Sequence, residues 1–203
     1  MKKFVSTLAL AALMLSANAG NWPGLQGSGS QDNPYLISTA DDIFILANYI
    51  SADNTGEGDY FLVTGNIDFN GSIDNMVSFP SIGKKGITGL TSVSWGFEGT
   101  FDGGNFTISG IYHTADQNND EGKFNGLFAS VGSKGIIKNV VMGENNYASS
   151  YWWTGYIASL CQGTIQNCIN NAPLFLTNAY GAGICSYLIK GTGSVVDCVN
   201  KGD

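Results

Sequence analysis

Arginine is absent from the 203-residue chain, histidine occurs once, proline four times, and only 12% of residues are charged, about half the share of an average soluble domain. Each shortage removes a class of function. Nucleic-acid binding rests on Arg and Lys neutralising phosphates, and nine Lys against sixteen acidic residues, with a net charge of −7, do not supply it. One His, His113, and no Cys-x-x-Cys pair leave no zinc-ligand set, and no cofactor motif is present. After the first turns of the N-terminus, no apolar run approaches the roughly 18 residues that a membrane-spanning helix needs. Disorder is excluded from the other direction, because 43% hydrophobic and 12% aromatic residues are enough to bury a core.

What the chain does have begins with a leader. Met1-Lys2-Lys3 is a basic start, Phe4 to Leu15 an apolar run, and Ala17-Asn18-Ala19 a small-x-small site. These are the three parts of a secretory signal peptide. Residues 1–19 are expected to be removed after Ala19, which sends the mature chain out of the cytoplasm.

Glycine fills 28 positions and asparagine 20, and both recur periodically. Gly135-Ile136-Ile137-Lys138-Asn139-Val140, Gly163-Thr164-Ile165-Gln166-Asn167-Cys168 and Gly193-Ser194-Val195-Val196-Asp197-Cys198 share one pattern. Phe106-Thr107-Ile108-Ser109-Gly110-Ile111 reads as a fourth copy, which puts the aliphatic position at 108, 137, 165 and 195. Gly126, Gly155 and Gly183 open apolar runs at matching spacing. Side chains alternate along a strand, yet apolar residues stand at both the third and sixth positions of the unit. A left-handed residue between them turns the sixth back inward, and Gly110, Asn139, Asn167 and Asp197 are of the types that tolerate that conformation. The unit is a set of short strands joined at corners, stacking at about 4.8 Å. That predicts an all-β fold, a right-handed parallel β-helix with about 28–30 residues per repeat. Leucine-rich repeats lack support because their Leu-x-x-Leu-x-Leu spacing is missing, and a propeller blade needs a longer unit.

The mature N-terminal part, residues 20–59, does not repeat. Asn33 to Ser38 reads as a first strand, and Thr39-Ala40-Asp41-Asp42 as a capping box before Ile43, Leu46, Ala47 and Ile50 at helical spacing. A helix over 40–51 would cover the first rung of a coil spanning 60–203. The sequence stops in mid-unit at Val199-Asn200-Lys201-Gly202-Asp203, so a cap, a partner or further repeats are expected at that end.

Trp22, Asn33-Pro34-Tyr35-Leu36-Ile37, Asn66-Ile67-Asp68-Phe69, Ile82-Gly83, Phe97 to Asn105 and the Gly-x-Ile-x-Asn-Cys units resemble the GLUG-motif family of secreted bacterial β-helix proteins. The resemblance covers about residues 22–200. It implies a β-helix secreted or held on the bacterial cell surface, adhesin-like, with no agreed catalytic residues to carry over. The family's Gly-Leu-aliphatic-Gly run is altered here to Gly126-Leu127-Phe128-Ala129 and Gly155-Tyr156-Ile157-Ala158.

Candidate chemistry is sparse. Cys168 and Cys198 share a repeat position and are close enough either for a disulfide or for a ladder of buried thiols, while Cys161 and Cys185 do not align. Asp116 to Gly122 alternates oxygen ligands as a calcium loop does, but lacks the central Gly and the final bidentate Glu, so it reads as a solvated loop. Asp68 and Asp102 are the carboxylates left for a glycosidase-type pair. Loops 114–125, 143–154 and 171–182 leave the coil at one corner and gather on one flank, where repeat proteins build binding faces. Tyr147, Tyr151, Trp152, Phe175 and Tyr180 are the candidate binding residues there. Trp153 aligns with Phe124 and is expected to point inward with it, whereas Trp152 aligns with Lys123 and is expected to point out. The reading taken forward is a non-catalytic, adhesin-like module that recognises a glycan or a surface protein, without metal or cofactor. The alternative is a carbohydrate-active β-helix enzyme, a glycosidase or polysaccharide lyase.

Overall fold

The computed structural model describes residues 22–77, 79–89, 92–113, 123–149, 152–174 and 180–202. The chain winds as a parallel β-solenoid. β1 (Tyr35–Ile37) leads into α1 (Ala40–Tyr49), and the next turn carries β2 (Tyr60–Val63) and β3 (Ile67–Asp68), followed by the hairpin β4 (Ile87–Gly89) and β5 (Ser92–Val93). The third turn holds β6 (Thr100–Asp102), β7 (Thr107–Ser109), β8 (Tyr112–His113), β9 (Phe124–Asn125) and β10 (Phe128–Val131). The fourth repeats it as β11 (Ile136–Lys138), β12 (Val141–Met142), β13 (Tyr147–Ala148), β14 (Trp153–Gly155) and β15 (Ala158–Cys161). Then come β16 (Thr164–Gln166), β17 (Ile169–Asn170), β18 (Tyr180–Ala182) and β19 (Cys185–Leu188), and finally β20 (Ser194–Val196) and β21 (Val199–Asn200).

Stacking these turns builds one six-stranded sheet, β1-β2-β6-β11-β16-β20, beside a five-stranded sheet β21-β17-β12-β7-β3 and three-stranded sheets β10-β15-β19 and β18-β14-β9. Inward positions of the long sheet, Phe61, Phe101, Ile137 and Ile165, are buried in a single core. An aromatic column runs through its first turns, with Trp22 on Phe61 at 5.1 Å, Phe61 on Phe97 at 5.6 Å and Phe97 on Phe128 at 5.2 Å.

The helix closes one end as the spacing predicts. Thr39 caps the backbone N–H of Asp42, and the Asp42 carboxylate accepts from the N–H of Thr39 and of Ser38 at 2.9 and 2.8 Å. Ile43, Leu46, Ala47 and Ile50 enter the core below. The free edge of β1 is covered too, since Leu36 donates its N–H to the carbonyl of Gln26 at 2.8 Å.

The corners hold left-handed residues as expected: φ is 54° at Asn139, 52° at Asn167 and 50° at Asp197. The fourth copy of the repeat, however, is misplaced in the sequence reading. Phe101, not Ile108, lies opposite Ile137 in the long sheet, while Ile108 lies opposite Met142 in the next one. Gly110 is left-handed, with φ 71°, but at the corner that follows β7. The cause is an enlarged corner: residues 103–106 separate β6 from β7, where two residues suffice between β11 and β12. The Gly landmark also slips once, because Gly155 pairs with Ala182 and not with Gly183.

A second, smaller apolar cluster lies on the other side of the β10-β15-β19 sheet. Phe124, Ala129 and Leu160 form its buried part, with Ile87 and Val93 of the hairpin and Trp152, Trp153 and Tyr187 packed against it. Among the described residues no helix is long and apolar enough to cross a membrane.

Candidate functional site

The register brings two tyrosines from successive turns onto each other. Tyr112 on β8 pairs with Tyr147 on β13, and their rings stack at 5.3 Å with planes 19° apart. Both line a cleft of about 370 Å³ on the flank of the coil. Its other walls are the turn at Asn70, Gly71 and Ser72, the carboxylate residues Asp68 and Glu144, and Asn145.

Local chemistry fixes each wall. Asp68 Oδ1 accepts the backbone N–H of Asn70 at 2.8 Å, an Asx turn that Asn70 completes with φ 57°. Gly110 presses so closely on this turn that a Cβ there would lie 2.2 Å from Asp68 Oδ1, so the position needs glycine. On the opposite side Asn146 is 2% exposed, and its amide is consumed by the backbone. Nδ2 donates to the carbonyls of Ile108 at 2.8 Å and Gly143 at 3.0 Å, and Oδ1 accepts the N–H of Ile111 at 2.9 Å. Beneath it the Tyr156 hydroxyl donates to the carbonyl of Pro173 at 2.5 Å, with the Asn146 carbonyl 3.4 Å away. Burial pushes that phenol up to about 12, so it remains a donor at every physiological pH. Asn146 and Tyr156 are thus the frame, while Tyr112, Tyr147, Asp68, Asn70, Glu144 and Asn145 present themselves to the opening.

Of the five candidate binding residues, Tyr147 belongs to this cleft. Tyr151 and Phe175 lie outside the described residues, as does the calcium-like loop 116–122. Trp152 and Tyr180 stand elsewhere, along the β9-β14-β18 sheet. Trp153 is in register with Phe124, but the expected inward pair does not form. Its ring stacks on Tyr180 at 4.6 Å and 25°, and leans on Tyr187 at 5.1 Å. The Phe124 ring instead meets Trp152 edge-on at 5.9 Å, and Lys123 Nζ sits 4.9 Å above the Trp152 ring. Both tryptophans are half-buried members of the outer cluster, so neither is simply inward or outward. Tyr180, at 70% exposure, is the open face of that stack.

Glu144 lies in the 143–154 loop of the expected flank without having been singled out, while Tyr112 was missed from sequence for one reason. Aligning Ile108 with Ile137 shifts the whole third turn, and the 35-residue separation of the two tyrosines then falls outside the repeat. A pair of tyrosines each following a strand and a corner is the signal that would have found them.

Asp68 and Asp102 do not share the cleft. Burial alone would raise the Asp102 carboxyl, but hydrogen bonds from Asn139 Nδ2 at 2.9 Å, from the Gly104 N–H at 3.0 Å and from Lys138 Nζ at 3.1 Å hold it below the usual range. It ties β6 to the corner of β11. The four cysteines are free thiols. Cys168 accordingly packs in the ladder, its N–H donating to Cys198 Sγ at 3.4 Å, and burial pushes its thiol up to about 12.

No family model matches the chain, and no solved structure matches it. A protein of Evansella cellulosilytica named "Putative Gly-rich membrane protein" is 30% identical over 114 residues, which is 56% of this chain and 11% of that protein. The matched part therefore spans about a tenth of that relative's length.

Proposed function

We propose that the protein is an exported, non-catalytic binding module that takes a glycan on the flank of its coil. The observation that carries this reading is the Tyr112–Tyr147 stack lining a polar cleft. Aromatic rings offer apolar faces to the C–H faces of sugars, and carboxylates and amides beside them accept and donate to hydroxyls. The Trp153–Tyr180 stack on the neighbouring sheet supplies a further aromatic surface for a longer chain. Export rests on the leader at residues 1–19, and display at a bacterial surface on the resemblance to the GLUG-motif proteins.

The competing reading, a carbohydrate-active enzyme, draws on the presence of Asp68 and Glu144 in one cleft, since glycoside hydrolysis needs two carboxylates flanking the bond. One experiment separates the two. A glycan array identifies what the purified protein retains, and the retained glycans are then incubated with wild type, Asp68→Asn and Glu144→Gln and examined for new reducing ends. Retention without turnover is expected. Turnover abolished by either substitution defeats the non-catalytic reading, and retention that survives Tyr147→Ala unchanged removes the cleft as the site.

A further inference from the structure

The cleft has a sharp electrostatic character that its aromatic pair does not share. Two carboxylate residues, Asp68 and Glu144, line it, and no lysine does. Arginine, the residue that pairs with sugar carboxylates and sulfates through its planar fork, is missing from the whole chain. Glu144 makes no hydrogen bond or ion pair among the described residues, and it stands exposed beside Asn145. The remaining polar groups are neutral: the Asn70 and Asn145 amides and the Ser72 hydroxyl.

Resting on the glycan-binding reading, we infer that this site takes uncharged, hydroxyl-rich sugars and rejects glycans carrying carboxylate, sulfate or phosphate. A carboxylate accepts hydrogen bonds from sugar hydroxyls at full strength, since charge-assisted bonds are about twice as strong as neutral ones. The same two carboxylates repel an anionic ring, because a ring seated against the walls they line lies within the roughly 8 Å over which physiological salt screens charge. Stacking on the tyrosines works equally for charged and uncharged rings, so it supplies affinity, and the carboxylates supply the choice. At about 370 Å³ the cleft is near the lower bound of small-ligand sites, which leaves little room for a charged group to turn away from both.

The test titrates the purified protein by calorimetry with three sets of saccharides: neutral gluco-, xylo- and manno-oligosaccharides, anionic oligogalacturonates and heparin fragments, and a cationic free-amine glucosamine polymer. Each is measured at low salt and at about 0.5 M salt, with wild type, Tyr147→Ala, Tyr147→Phe and the double variant Asp68→Asn/Glu144→Gln. A neutral sugar is expected to bind with little salt dependence, to lose tenfold or more with Tyr147→Ala, and to recover with Tyr147→Phe. Anionic sugars are expected to bind only in the double variant. Wild-type binding of an anionic set member that depends on Tyr147 overturns the inference and leaves the glycan-binding reading standing. So does capture of a free-amine glucosamine polymer that collapses in salt while neutral sugars are ignored. Absence of binding to every sugar in all variants overturns both.

Discussion

Replacing Asn146 tests whether the cleft is held by a side chain rather than by its own backbone. Its amide donates to the Ile108 and Gly143 carbonyls and accepts from the Ile111 N–H, all in a site that is 2% exposed. In Asn146→Ala the Ile108 carbonyl keeps a second donor, the Gly143 N–H at 2.9 Å, so its loss is small. The Ile111 N–H is left buried without a partner, which costs about 1–3 kcal/mol, and the lost bond to the Gly143 carbonyl costs about 1 kcal/mol more. The expected loss is about 2–4 kcal/mol, a fall in melting temperature of roughly 4–16 °C for a chain of this size. Asn146→Asp sharpens the test. It keeps the acceptor for Ile111 but turns a carboxylate toward two carbonyls, so the introduced group has a raised pKa in the fold. A raised pKa means that stability is present at low pH and lost as pH rises through the folded value. The gap between Asn146→Asp and wild type, followed by calorimetric melts, should therefore narrow on acidification. A fall of less than about 1 kcal/mol in Asn146→Ala, or a gap in Asn146→Asp that stays constant with pH, would refute the assignment.

Asn167 is exposed and left-handed, with φ 52°; Asn167→Ala should cost about 1 kcal/mol and Asn167→Gly almost nothing, in urea-unfolding midpoints. A loss with Gly equal to that with Ala would show that the corner depends on the amide and not on the conformation. Asp102→Ala should cost about 1 kcal/mol at neutral pH, a value kept small by partial solvent exposure. Because the Asp102 carboxyl is held low in the fold, this contribution is present above its unfolded pKa and lost as pH falls through its folded one. Wild type and variant should then converge in acid, with glycan retention unaffected at pH 7.

The features legible in the sequence were those decided locally, by one residue or by a pair close along the chain. The left-handed corners at Asn139, Asn167 and Asp197 could be read because few residue types tolerate that backbone. The helix start could be read because Thr39 and Asp42 cap each other without help from the rest of the fold. Register between turns was a different matter. The pattern around Ile108 suits both the strand of the long sheet and the strand after it, since each alternates and each ends at a corner. Only the pairing of Phe101 with Ile137, across the enlarged 103–106 corner, decides between them. The site inherited that error, because Tyr112 meets Tyr147 through register alone. Trp153 failed for a related reason: being opposite Phe124 fixes the backbones, while the rings are free to choose Tyr180 and Trp152 instead.

Parallel pairing of successive turns makes the flank a ruler graduated in strand separations. Tyr112 and Tyr147 are one graduation apart, and so are Trp153 and Tyr180, although different lengths of chain connect them. Residues can be inserted into or removed from a loop between two such positions without moving either mark, because the sheets on both sides set the interval at about 4.8 Å. Loop sequence is thereby mechanically uncoupled from the spacing of the face, and drift in the one leaves the periodicity of the other unchanged.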